Sequence, residues 1–247
     1  MRNFFTFIGE VSHFGLKGLV DAFRPPFEWE FFLIQIKEIG WQSLPLILAA
    51  GLALGIVLSM HTRGTLVQFG AEAMIPTLQS ASFFNELGPL VTGLLVAGRV
   101  GAGIGAGIAN MRVTEQIDAI TTMGVSPIQY LVVPRVIATT LMMPLLATCF
   151  GIAGMAGAYV VAVVWQGIDP GIFFERVERL LTITDLRMLF IKSLSFGFVV
   201  SVVCCKKGFF ASGGARGVGD ATAKAVVASI VAIFGLDYVL TTLLTDI

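Results

Sequence analysis

Apolar residues run through this chain in long stretches that are almost free of charge, and these stretches, rather than any strand-like alternation, set its architecture. Residues 39–60 carry no charge, 87–111 carry only Arg99, 188–205 only Lys192, and 225–245 only Asp237. A membrane-spanning helix needs about 20 largely apolar residues, because backbone polar groups left unpaired in hydrocarbon are too costly. Each of the four stretches meets that length. Residues 136–168 also lack charge, and as helix they would extend about 50 Å at 1.5 Å per residue. That is too long for one upright crossing and too short for two, so the pattern predicts one long helix, kinked near Pro144 and projecting from the bilayer. The total is five crossings.

Ahead of them, Phe4, Phe7, Ile8, Val11 and Phe14 recur at helical spacing, and Phe27, Trp29, Phe31 and Phe32 follow Pro25-Pro26. Residues 1–38 therefore read as helices lying in the membrane interface or against the protein's own flank. Gly9, Glu10, His13 and Lys17 interrupt this stretch, which does not read as a signal peptide. The predicted fold is an all-α membrane protein: interfacial helices over 1–38, then a five-helix domain over 39–247.

Composition agrees with the pattern. Of the 247 residues 56% are hydrophobic and 13% charged, about half the charge of a water-soluble domain. Sixteen basic residues balance sixteen acidic ones, so no net field favours nucleic acid as a partner. Two His and three Cys offer neither metal-ligand spacing nor a nucleophile with its base, and the reading has no catalytic and no metal residues. Cys149, Cys204 and Cys205 lie in apolar runs and read as buried free thiols. With the N-terminus in the cytoplasm, the inner segments hold 11 Lys and Arg and the outer ones 4, so the C-terminus is expected outside. No inverted internal repeat is evident.

Ala97, Gly101, Gly105 and Ala109 form a stripe of small residues that lets another helix approach the second span closely. Gly101, Gly105 and Arg99 are accordingly read as structural. Arg99 lies 13 residues beyond Glu86, about 20 Å along a helix, so the two do not pair. Between the second and third spans, Met111-Arg112-Val113-Thr114-Glu115-Gln116-Ile117-Asp118 leads to Met123-Gly124-Val125-Ser126-Pro127. Thr114 is the expected cap of a short cytoplasmic helix over about 113–124, Gly124 and Pro127 its stop, and Ile117, Ile120 and Met123 its apolar ridge.

These residues carry a resemblance. Glu-Leu-Gly-Pro at 86–89, Leu-Leu-Val-Ala-Gly-Arg ending at Arg99, the 111–118 run, Met-Gly-Val-Ser-Pro from 123 and Val-Val-Pro-Arg ending at Arg135 resemble the MlaE/YrbE family of ABC-transporter permeases. The likeness covers nearly the whole chain. It implies a phospholipid permease of the bacterial inner membrane, acting as a homodimer with cytoplasmic ATPase subunits and a periplasmic ring of MCE-domain lipid carriers. It further implies that the short helix couples permease to ATPase through Arg112, Glu115, Gln116 and Asp118. The chain carries no nucleotide-binding loop of its own, so ATP and Mg would belong to the ATPase and no cofactor to this chain. Two departures stand out: Asn85 replaces an Arg common in the family, and Ala106-Gly107-Ile108 lacks a Glu. The alternative reading is a small ion-coupled transporter or channel.

Counting along the helices places Glu86, Lys192 and Asp237 at one level in the outer half of the membrane. With Asn85, they are the predicted substrate-binding residues, lining a polar patch suited to a zwitterionic or anionic head group.

Overall fold

The structure, a computed structural model, describes residues 9, 11, 14–16, 28–70, 74–180 and 182–245. Among the described residues from Trp29 onward the main helices are α1 (Trp29–Gly64), α2 (Ile75–Val113), α3 (Gln116–Thr122), α4 (Ile128–Trp165), α5 (Pro170–Leu180), α6 (Ile183–Phe209) and α7 (Gly214–Thr245). No strand occurs among the described residues. Five of the helices, α1, α2, α4, α6 and α7, are long and apolar enough to cross a membrane.

Two spans begin earlier than the charge pattern indicates. Helix α1 starts at Trp29, so residues 29–38 continue into the first span, offset from it by a turn at Gln42-Ser43. Helix α2 starts at Ile75 and not near Leu87, which puts Glu86 about 16 Å along the helix instead of at its mouth. The polar residues Gln79 and Ser80 hid this extension, yet both are buried against neighbouring elements. The third span α4 is one continuous helix that passes through Pro144.

Helices α2, α4 and α6 form the centre, with Phe83, Phe150, Phe196, Met143, Leu146 and Ile108 among the fully buried side chains. The small-residue stripe of α2 faces α6 and α7. A side-chain carbon added at Gly101 would sit 2.8 Å from Cys204 Sγ, and one at Gly105 3.5 Å from Ala225 Cβ. A second close contact, which the sequence reading passed over, joins α1 to α4: a carbon added at Gly51 would lie 2.6 Å from the Phe150 carbonyl oxygen, and one at Gly55 would overlap the Gly154 carbonyl. Cys149, Cys204 and Cys205 are free thiols.

Of the N-terminal aromatics, Phe14 is buried and its ring lies 6.1 Å from that of Phe209, so this part of the segment packs on the protein's own flank. Phe4, Phe7, Ile8 and Phe27 lie outside the described residues. On the other side, Asp169 caps α5 by accepting from the backbone N–H groups of Gly171 and Ile172 at 2.7 and 3.2 Å. Helix α5 lies against the start of α2, with Phe173 and Phe174 packed on Tyr159.

Candidate functional site

Lys192 is fully buried. A lone ammonium in an apolar bundle is tolerated only if paired and hydrogen-bonded, and four groups meet it. Its Nζ lies 2.7 Å from Glu86 Oε2 and 3.3 Å from Asp237 Oδ1. It also donates to Thr241 Oγ1 at 2.8 Å and to the Asn85 carbonyl at 3.2 Å. The four predicted residues on α2, α6 and α7 therefore meet at one point.

Local sequence builds the α2 side. Pro89 has no N–H to offer the carbonyl four residues before it, which is that of Asn85, and this carbonyl accepts from Lys192. Residues Ser82–Leu87 form a wider π turn, a feature often found at functional sites. On α7, Thr241 donates to the Asp237 carbonyl at 2.8 Å and so holds its oxygen toward Lys192. Thr241 is the site residue that sequence reasoning missed; its spacing of one helical turn from Asp237 was the available signal.

The partners are not equally accessible. Side-chain exposure is 1% for Lys192, 16% for Asp237 and 43% for Glu86. Lys192 is thus enclosed, and Glu86 is the charge presented outward. With both carboxylates ionised the cluster carries a net charge of −1. Beside it, Asn85 Oδ1 is buried with no donor within reach. The acceptor on the exposed side of the cluster is therefore the Glu86 carboxylate.

The chain is similar to known proteins along most of its length, and the description "Permease MlaE" belongs to a family model that matches residues 32–243. The chain belongs to the MlaE permease family. A "Probable ABC transporter permease protein" of Rickettsia felis is 38% identical over 96% of this chain and 91% of its own. The "Intermembrane phospholipid transport system permease protein MlaE" of Haemophilus influenzae is 32% identical over 98% of this chain and 93% of its own. "Protein TRIGALACTOSYLDIACYLGLYCEROL 1, chloroplastic" of Arabidopsis thaliana is 35% identical over 86% of this chain and 61% of its own. The protein is a multi-pass ABC-transporter permease of the MlaE family.

In this MlaE-family permease the loop after α2 holds the predicted coupling residues, with its cap corrected. The short helix α3 runs only from Gln116 to Thr122, and Thr114 does not cap it: the Thr114 hydroxyl donates back to the Asn110 carbonyl at 2.8 Å. Glu115 occupies the cap position in the left-handed conformation, φ +61°. At the other end, Gly124 has φ +78°, and the N–H groups of Gly124 and Val125 bond the carbonyls of Thr121 and Ile120, a standard helix stop. Arg112 and Asp118 pair at 2.6 Å, so Asp118 is engaged rather than free. Glu115 and Gln116 are exposed. The ridge divides as well: Ile117 is buried, whereas Met123 is 71% exposed.

Arg99 reaches back to α1. It donates to Ser43 Oγ at 2.6 Å, Gln42 Oε1 at 3.1 Å and the Glu38 carbonyl at 3.5 Å. Gly101 and Gly105 are buried in the α2 contact with α6 and α7.

Proposed function

We propose that this permease is the membrane half of a lipid transporter: a homodimer of the bacterial inner membrane that moves phospholipid between that membrane and a periplasmic MCE-domain carrier. Separate cytoplasmic ATPase subunits bind ATP and Mg and supply the energy. The N-terminus faces the cytoplasm and the C-terminus the periplasm. The observation that carries the reading is the Lys192 cluster, a buried ion cluster with one open face where α2, α6 and α7 meet. The name of the Haemophilus influenzae relative, at 32% identity over nearly the whole chain, supports phospholipid as the substrate.

The site's chemistry narrows the head group. Lys192 is neutralised and enclosed, so it fixes Glu86 in place and does not itself reach a ligand. Glu86 presents an acceptor, and with both carboxylates ionised the cluster's charge is negative. A head group that donates hydrogen bonds from an ammonium complements this, so a zwitterionic amine-bearing phospholipid fits better than an anionic one. The acyl chains then contact the apolar walls. In the transport cycle the cluster binds and orients the head group, and movement of α3 with the ATPase opens or closes its access.

The test places a photo-crosslinking residue at Glu86 in the full-length protein in native membranes. Covalently trapped phospholipid, rich in amine-bearing species, is expected. Capture at positions facing the inner leaflet with none at Glu86 would overturn the assignment. Flux that depends on an ion gradient and not on ATP would favour an ion-coupled transporter instead.

A further inference from the structure

About 20 Å along α2 from Glu86, a cavity of about 470 Å³ opens between α1, α2 and the start of α4. Its polar lining is Gln35, Glu38, Gln42, Arg99 and Arg135, and Gly103 and Gly107 form part of its wall. A carbon added at either glycine would meet nothing within 4 Å, so the space in front of them is open. Two guanidinium groups face one cavity.

Neither forms an ion pair among the described residues, and the two share the single carboxylate of the lining, Glu38. The partners of Arg99 are a hydroxyl, an amide oxygen and a backbone carbonyl. Arg135 donates to the Leu131 carbonyl at 2.7 Å and lies 4.8 Å from the centre of the Phe31 ring. Among the described residues no acidic side chain lies within ion-pairing distance of either. The one carboxylate in the lining, Glu38, accepts from Gln35 at 3.5 Å. The cavity thus carries a formal charge of +1, with guanidinium donors left over from the bonds already made.

The surroundings are those of a lipid-facing rim. On α1, Trp41 is 73% exposed and Leu33 61% exposed, and an exposed Trp of this kind belongs at the level of lipid head groups. Phe31 stacks on Tyr130 with centroids 6.2 Å apart and forms an aromatic wall under Arg135. Planar guanidinium donors match phosphate oxygens, and the match is strongest where water is scarce.

We propose that this cavity binds the phosphate of an anionic phospholipid from the cytoplasmic leaflet, held between Arg99 and Arg135, as a second lipid site separate from the Lys192 cluster. The two sites have opposite charge and select different head groups. The proposal rests on the permease reading only for which side of the membrane the cavity faces, and its test does not require transport.

The full-length protein, carrying a photo-crosslinking residue at Gly103, is reconstituted in nanodiscs of phosphatidylcholine and phosphatidylglycerol, and the trapped lipid is identified by mass. A probe at Ile152, 59% exposed on α4 and away from the outward face of α7, reports the bulk bilayer. Phosphatidylglycerol is expected to be enriched roughly tenfold at 103 relative to 152, because it is net anionic whereas the choline ammonium of phosphatidylcholine offsets its phosphate and is repelled by the two guanidinium groups. Arg99→Gln with Arg135→Gln should abolish the enrichment, whereas the Lys pair should retain part of it. Gly107→Leu, which fills the cavity and keeps both arginines, should also abolish it, and decides the matter if the Gln variant fails to insert. Equal composition at 103 and 152, or enrichment unchanged in the Gly107→Leu variant, overturns the proposal. Loss of the lipid adduct on adding inorganic phosphate would show a site for soluble anions and overturn it too. Failure of capture at Glu86 with enrichment at 103 would refute the Lys192 site alone.

Discussion

Lys192 and Glu86 touch at 2.7 Å, but their removal should have different consequences because only one of them is enclosed. Lys192→Met leaves two carboxylates facing each other without their ammonium, and breaking a buried pair from one side costs about 3–5 kcal/mol. Its expected result is sharply reduced yield and thermal stability in detergent. Glu86→Gln keeps a hydrogen-bond acceptor near Lys192 and leaves Asp237 to balance it. That variant should assemble normally and lose lipid transport in a reconstituted assay; normal transport would remove Glu86 from the substrate path. Glu115 supports a second test. Its left-handed backbone costs a side chain of this type about 1 kcal/mol, and Asn tolerates that conformation better. Glu115→Asn should therefore leave thermal stability unchanged or slightly raised while reducing co-purification of the ATPase, and a Lys at the same position should reduce it further. The lone charges in apolar runs were legible one by one, since each needs a partner. The Arg112–Asp118 pair was not, because it bridges a left-handed turn for which the sequence carries no Gly.

Among the helices, α1 and α4 meet through glycine on both sides. A branched side chain at Gly55 would run into the backbone of Gly154, which cannot move aside as a side chain can. Gly55→Leu should lower the melting temperature of the solubilised protein markedly, by more than the ~1–3 kcal/mol typical of overpacking against side chains, whereas Gly98→Leu, with nothing within 4 Å of the added carbon, should have little effect. Helix existence was readable from hydropathy, but helix starts were not. The early turns of α2 contain Thr77, Gln79 and Ser80, which look like loop residues until α5 covers them. Helix α5 itself was announced by Asp169-Pro170, a cap residue followed by the favoured first helical residue, and was overlooked because it is short and charged.

At the scale of the whole molecule, labelling from one side measures the orientation in the membrane. In a variant with Cys149, Cys204 and Cys205 replaced by Ala, a new cysteine at Gly167, between α4 and α5, should react with a membrane-impermeant thiol reagent in cells with a permeable outer membrane. One at Ser212, between α6 and α7, should react only after the inner membrane is opened. The reverse result would invert the topology and with it both proposed sites. Helix α7 turns Val227, Val231, Phe234 and Tyr238 outward, an apolar face on the helix that also carries Asp237 and Thr241, so a homodimer formed along it would place two Glu86 clusters near one another.

Sequence alone determined that this is a five-span helical membrane protein, which motif loops join the spans, and which ionisable residues needed an explanation. Those follow from the cost of placing bare backbone and bare charge in hydrocarbon, a cost that each segment meets by itself. Tertiary structure decided which charges share a site, that Lys192 is enclosed while Glu86 is open, and that Arg99 and Arg135 face one cavity with the single carboxylate Glu38 and no ion pair. The physical reason is that pairing and exposure depend on the rotation of each helix about its axis, and that rotation is set by the close contacts at Gly55, Gly101 and Gly105 between segments far apart in the chain.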